Sequence, residues 1–112
     1  KKDENTNTQY LKKKGYKILE RNWRKAKKEI DIIAETKDFL VFVEVKTTTT
    51  PFHFDLNNAM NNHKTKNLIQ GAELYIADHP TVKEVRFDLS IVTYFNNSAQ
   101  IQYTPNAFIP EF

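Results

Sequence analysis

Two short runs, Glu29-Ile30-Asp31-Ile32-Ile33-Ala34-Glu35 and Phe39-Leu40-Val41-Phe42-Val43-Glu44-Val45, constrain this chain more than any other feature. Both are rich in β-branched residues and short, and the turn-like Thr36-Lys37-Asp38 separates them, so they read as two adjacent strands. The rest of the chain arranges itself around them. Glu4–Lys14 reads as a helix closed by Gly15, with Lys12, Lys13 and Lys14 at its negative end. Tyr16–Trp23 is a further expected strand, and Thr47–Asp55 a loop with four threonines, Pro51 and two phenylalanines. In Asn57–Ala77, Lys64, Leu68, Ala72 and Ile76 form an i, i+4 row, and Pro80 follows the helix this predicts. Glu84–Phe95 is a long strand that turns at Asn96-Asn97-Ser98 into a hairpin partner, Ala99–Tyr103. The order α-β-β-β-α-β-β predicts an α/β fold with a mixed sheet flanked by helices.

At 112 residues the chain has room for one domain, and 39% hydrophobic residues suffice for a core. The absence of cysteine excludes disulfides, thiolate metal sites and cysteine nucleophiles, and fits a reducing, cytoplasmic setting. No apolar run approaches the roughly 20 residues that span a bilayer, and no signal-peptide core appears, so no membrane partner is expected. The chain opens on Lys1, so native residues are expected ahead of it. Charge is lopsided: residues 1–28 hold 11 Lys/Arg against 3 Asp/Glu, and residues 29–112 hold 6 against 11. A basic first quarter before an acidic remainder suggests a polyanion-facing surface beside a region that needs carboxylates.

Alternation places Glu29 and Asp31 on one face of their strand, with Ile30 and Ile32 on the other. Glu44 and Lys46 likewise share a face, opposite Val41, Val43 and Val45. Pairing of the two strands then brings three carboxylates and one ammonium together. Two carboxylates about 5 Å apart repel by roughly 3 kcal/mol at an effective dielectric of 20, so the cluster calls for a cation, a proton or the lysine. Oxygen ligands without thiolate or paired histidine favour Mg²⁺ or Mn²⁺ over zinc. Such an ion beside a lysine suits phosphodiester hydrolysis. Charged residues alternating on a solvated sheet face are the alternative.

The pattern Tyr10-Leu11, Gly15-Tyr16, Ile18-Leu19-x-Arg21-Asn22-Trp23-Arg24, Glu29-Ile30-Asp31-Ile32-Ile33-Ala34, Val41-Phe42-Val43-Glu44-Val45-Lys46-Thr47 resembles the YraN-like family of small bacterial proteins, within the PD-(D/E)XK nuclease superfamily. The likeness continues through Lys64, Ala72, Tyr75, Arg86-Phe87-Asp88 and Asn106-Ala107-Phe108. It implies a restriction-endonuclease-like α-β-β-β-α-β core, similar in layout to Holliday-junction resolvases. By the resemblance Asp31 is the motif aspartate, with Ile30 where the motif's name has proline, and Glu44 and Lys46 are its (D/E)-x-K. Glu4 falls where the family has a helical glutamate, and Lys64 where the superfamily often has a helix-borne Lys or Gln. The chain departs from the family at Asp3, Asn7, Thr48 and the glycine-free turn Lys25-Ala26-Lys27-Lys28.

The resemblance implies a metal-dependent endonuclease acting on DNA, branched or single-stranded forms included. Asp31 and Glu44 would hold Mg²⁺ or Mn²⁺, Lys46 would assist the water, and Glu4, Glu29 and Lys64 would support. A nucleic-acid-binding module without turnover, or a protein-interaction domain, is the alternative, and a dimer is compatible with either. Arg21, Arg24, Lys25, Lys27 and Lys28 are candidates for phosphate contact. Trp23 either stacks on an unpaired base or belongs to the core. His53, His63 and His79 lack mutual ligand spacing. Phe52 and Phe54 are expected to fasten their loop to the core, and Asp88 to be a structural partner of Arg86.

Overall fold

A computed structural model describes residues 2–48 and 62–107. The elements are α1 (Lys2–Lys13), β1 (Lys17–Lys25), β2 (Lys28–Glu35), β3 (Phe39–Thr48), α2 (Asn62–Asp78), β4 (Glu84–Phe95) and β5 (Ser98–Thr104). The strands form one sheet in sequence order, β1-β2-β3-β4-β5. β3 and β4 are parallel, joined through the stretch that contains α2, and every other neighbouring pair is antiparallel. This is the mixed α/β architecture expected from the order of elements, and it is consistent with a restriction-endonuclease-like core.

Each helix covers one face of the sheet. On one side Leu68, Ala72 and Tyr75 of α2 pack on Ile30, Ile33, Leu40, Phe42 and Phe87. On the other, Leu11 of α1 packs on Ile32, Ala34, Val41 and Val43. The unbroken apolar run Leu40–Val43 is explained by this sandwich, since β3 is central and buried on both faces. Gly71 lets α2 sit close, because a Cβ there would lie 3.2 Å from Cδ1 of Ile30. Gly15 (φ 90°) ends α1 in the left-handed conformation. The Tyr16 amide returns to the Leu11 carbonyl at 3.0 Å, as in a Schellman stop.

Several boundaries differ from those read in the sequence. β1 and β2 run to a tight turn at Ala26-Lys27, both left-handed (φ 50° and 65°), although neither residue type favours that region. The strand ladder overrides the local preference. Thr47 and Thr48 extend β3 rather than opening a loop, and they pair with Val92 and Thr93. The remainder of that expected loop, including Phe52, His53 and Phe54, and residues 57–61 of the expected helix, lie outside the described residues.

Candidate active site

β2 and β3 are paired from Glu35↔Leu40 to Ile32↔Val43, and there the ladder stops. Asp31, the next residue along β2, sits where the strands part. Its Oδ2 accepts a hydrogen bond from the backbone N–H of Val45 at 2.8 Å. A carboxylate thus takes up a strand amide that the ladder leaves free, and this fixes Asp31 against the start of the Glu44-Val45-Lys46 segment.

The local geometry corrects the simple alternation. Ile30 belongs to the α2-side core and Ile32 to the α1-side core, so the two isoleucines do not share a face. The change of face falls at Asp31. Opposite it on β1 the register passes from Arg21↔Ile32 to Trp23↔Ile30 across Asn22, which is left-handed (φ 52°). An irregular residue in a strand pair re-aims the side chains around it.

Glu44 follows Phe42 and Leu40 on the α2 side, where Lys46 accompanies it. The Lys46 ammonium lies 3.7 Å from Glu44 Oε1, and both side chains are about one-fifth exposed (21% and 20%). Burial, and then the neighbouring charge of Asp31, push the Glu44 carboxyl up to about 7. Lys46 pulls the other way and Glu29 adds to the rise, but the single ammonium does not offset the rest.

A cleft of about 190 Å³ opens beside Glu44, lined by Lys27, Lys28, Glu29, Glu44, Lys64, Asn67 and Leu68. Its walls are the tip of the β1–β2 hairpin and the first turns of α2. Lys28 Nζ donates to Asn67 Oδ1 at 2.9 Å and ties the two walls together. Lys64 therefore reaches the same cleft as Glu44. Asn67 was not expected; its place three residues after Lys64, on the same helical face, is the signal that could have found it.

Not every expected residue joins. Glu29 lines the cleft and adds to the field on Glu44, but it pairs with Arg24 at 3.3 Å. Among the described residues no group of three or more His, Cys, Asp or Glu side chains is gathered closely enough to hold a metal. Asp31 and Glu29 both bear on Glu44, Asp31 the more strongly, so the three carboxylates share one field without forming a three-carboxylate metal cage. The backbone of Glu4 lies in α1, and its side chain and that of His63 lie outside the description. Two hard carboxylate donors, one of them holding its proton for want of positive charge, fit a divalent oxygen-seeking ion that keeps much of its water.

The basic residues are more committed than their charge suggested. Lys25 is ion-paired with Asp78 at the end of α2, which holds the Asp78 carboxyl below its ordinary range. Arg24 serves Glu29 and Lys28 serves Asn67, whereas Lys27 stands exposed at the turn. Arg21 is exposed as well. Trp23 packs on the α2-side core, edge-on to Tyr75 with ring centroids 5.5 Å apart. Of its two expected roles, this is the core one. His79 stacks on Tyr75 and its Nδ1 lies 3.1 Å from the Tyr75 carbonyl.

Asp88 is structural, as expected. It is fully buried and receives Nε–H and a terminal N–H of Arg86, both at 2.9 Å, together with the Tyr103 hydroxyl and the Asn106 amide. No helix among the described residues is long and apolar enough to cross a membrane.

Residues 3–92 match the family model described as "Uncharacterised protein family UPF0102", a span that includes Asp31, Glu44, Lys46 and Lys64. A UPF0102 protein of Syntrophomonas wolfei is 39% identical over 101 residues, covering 89% of this chain and 88% of the relative. One from Bacteroides thetaiotaomicron is 36% identical over 107 residues, covering 96% and 88%. One from Caldanaerobacter subterraneus reaches 46% over 90 residues, covering 79% and 72%. The chain that parts its strands at Asp31 and sets Glu44, with Lys46 beside it, on a lysine-lined cleft is a member of the UPF0102, or YraN-like, family.

Proposed function

We propose that this protein is a Mg²⁺- or Mn²⁺-dependent endonuclease that hydrolyses phosphodiester bonds in DNA, branched and single-stranded forms included. One observation carries the reading. Asp31 and Glu44 converge at the parting of β2 and β3, and Glu44 holds its proton up to about pH 7 beside Lys46. A half-buried carboxyl pair under-compensated by its own lysine suits further positive charge.

Asp31 and Glu44 would hold the ion, which when bound acidifies water and neutralises phosphate oxygens. Lys46, whose ammonium lies 3.7 Å from Glu44 Oε1, would orient the attacking water and stabilise charge building on the phosphate. Lys27, Lys28 and Lys64 line the approach to Glu44 and would receive the backbone phosphates on either side of the scissile bond.

The test is a calorimetric titration with Mg²⁺ and Mn²⁺, with and without Asp31→Ala, alongside nicking assays on supercoiled, branched and single-stranded DNA. Binding that Asp31→Ala abolishes, with Mn²⁺-dependent cleavage, is the expected result. Wild-type protein that binds neither ion would remove the proposal.

A further inference from the structure

The two edges of the sheet are built differently. β1 carries Lys17, Glu20, Arg21, Arg24 and Lys25, a register shift between Ile18 and Glu20, and the left-handed Asn22. Charge and irregularity of this kind keep an edge from pairing. β5, at the other edge, reads Ser98-Ala99-Gln100-Ile101-Gln102-Tyr103-Thr104, with no charge, no proline and an unshifted register against β4. Nothing among its residues discourages another strand.

The hydrogen-bond parity of that edge is determined by its turn. The two-residue loop Asn96-Asn97, left-handed at both positions, makes Phe95↔Ser98 the closing hydrogen-bonded pair. Ser98, Gln100, Gln102 and Thr104 therefore direct their backbone groups to β4. Ala99, Ile101 and Tyr103 direct theirs outward. In an antiparallel pairing of β5 with itself about Ile101, Ala99 meets Tyr103 of the second copy, and Ile101 meets its own counterpart. Those are the outward-facing positions, so the parity closes. On the other face Gln100 lies opposite Gln102 of the second copy, side by side in the closer, non-hydrogen-bonded arrangement. Two chains of net charge +3 would meet there with no like charges opposed.

We infer that β5 is a self-association edge, through which two copies pair antiparallel about Ile101 into one continuous ten-stranded sheet. The two-fold axis stands perpendicular to the sheet, so both copies present the α2 side, with Glu44 and Lys46, in the same direction. From one β3 to the other is five strand spacings, about 24 Å along the sheet. The inference stands on backbone geometry and is independent of the nuclease reading.

Gln100 and Gln102 are exposed and can be changed without touching the core or the cleft. The experiment is sedimentation equilibrium of the full chain, in series reaching on the order of 100 μM, since a strand-to-strand contact is small and its affinity modest. Wild type is expected to show a concentration-dependent monomer–dimer equilibrium. Gln100→Lys with Gln102→Lys opposes like charges twice and should weaken it at least about tenfold. Gln100→Lys with Gln102→Glu opposes unlike charges in this register and should restore it. A wild type that stays monomeric, a dimer indifferent to the double lysine change, or a Lys/Glu variant that fails to recover each overturns the inference.

Discussion

The Asp31 carboxylate accepts the Val45 amide at 2.8 Å, so one candidate metal-binding side chain is also a backbone hydrogen-bond partner of the strand that carries the other. Replacing Asp31 by Asn keeps an acceptor for that amide and removes a negative charge from beside Glu44. Replacing it by Ala removes both. Asp31→Asn should leave the ion-free protein as stable as wild type or more so, whereas Asp31→Ala should cost about 1–3 kcal/mol for the stranded amide. Both should lose metal binding. Urea unfolding in the presence of a chelator separates the two variants, and equal losses would mean that the bond to Val45 contributes nothing.

The raised carboxyl of Glu44 ties stability to pH. Its folded-state value of about 7 lies above the ordinary 4.5, so the protonated form is favoured by folding. That contribution is complete below about pH 4.5 and is lost as pH rises through about 7. Glu44→Gln cannot lose a proton. It should match wild type near pH 4.5 and exceed it near pH 8 by up to about 3 kcal/mol in metal-free buffer. Parallel denaturation curves at the two pH values would show it; a constant difference would mean that folding leaves the Glu44 carboxyl at its ordinary value.

Lys46 lies close to Glu44 but is not placed as an ion ligand. Lys46→Ala should keep Mn²⁺ and DNA binding nearly intact and remove nearly all nicking. Lys46→Arg should recover little, since a planar guanidinium replaces a compact ammonium poorly in a small site. The comparison needs variants purified in parallel, and equal nicking by wild type and Lys46→Ala would assign the activity to another source.

Among the basic residues of the first quarter, Lys27 and Lys28 line the cleft that holds Glu44. If they contact phosphates, the double change Lys27→Gln, Lys28→Gln should flatten the log–log dependence of DNA affinity on salt by about two units. Lys25→Gln should alter it less, because Lys25 is held by Asp78. Fluorescence anisotropy across a salt series reads both slopes. An unchanged slope in the double variant would place the DNA elsewhere.

Much of this arrangement is legible in the sequence because it follows from periodicity and spacing. The pairing of β2 with β3 and the proximity of Glu44 to Lys46 follow from alternation and a short turn, and the two-sided burial of β3 shows as the unbroken apolar run Leu40–Val43. What escapes is what tertiary context imposes on one residue. Nothing in the pattern around Asn22 announces a left-handed residue within a strand, so the opposite facing of Ile30 and Ile32 cannot be read off. Ala26-Lys27 carries no turn chemistry, yet two long paired strands force the turn upon it. The partners of Lys25 and Lys28 are likewise invisible, since Asp78 and Asn67 lie far along the chain.

The buried Asp88 has a consequence for the order in which a growing chain matures. Its donors come from Arg86 two residues earlier, but also from Tyr103 and Asn106, which leave the ribosome later. The Arg86 side chain is itself steadied by the Tyr16 hydroxyl from just ahead of β1. A nascent chain ending near Phe95 would hold an ion pair missing half of its hydrogen bonds inside a sheet still open on that side. Burial of an under-served carboxylate opposes docking. Docking of β4 on β3 before β5 emerges would therefore leave Asp88 with Arg86 alone, and its native set of donors is complete only once Asn106 has been made.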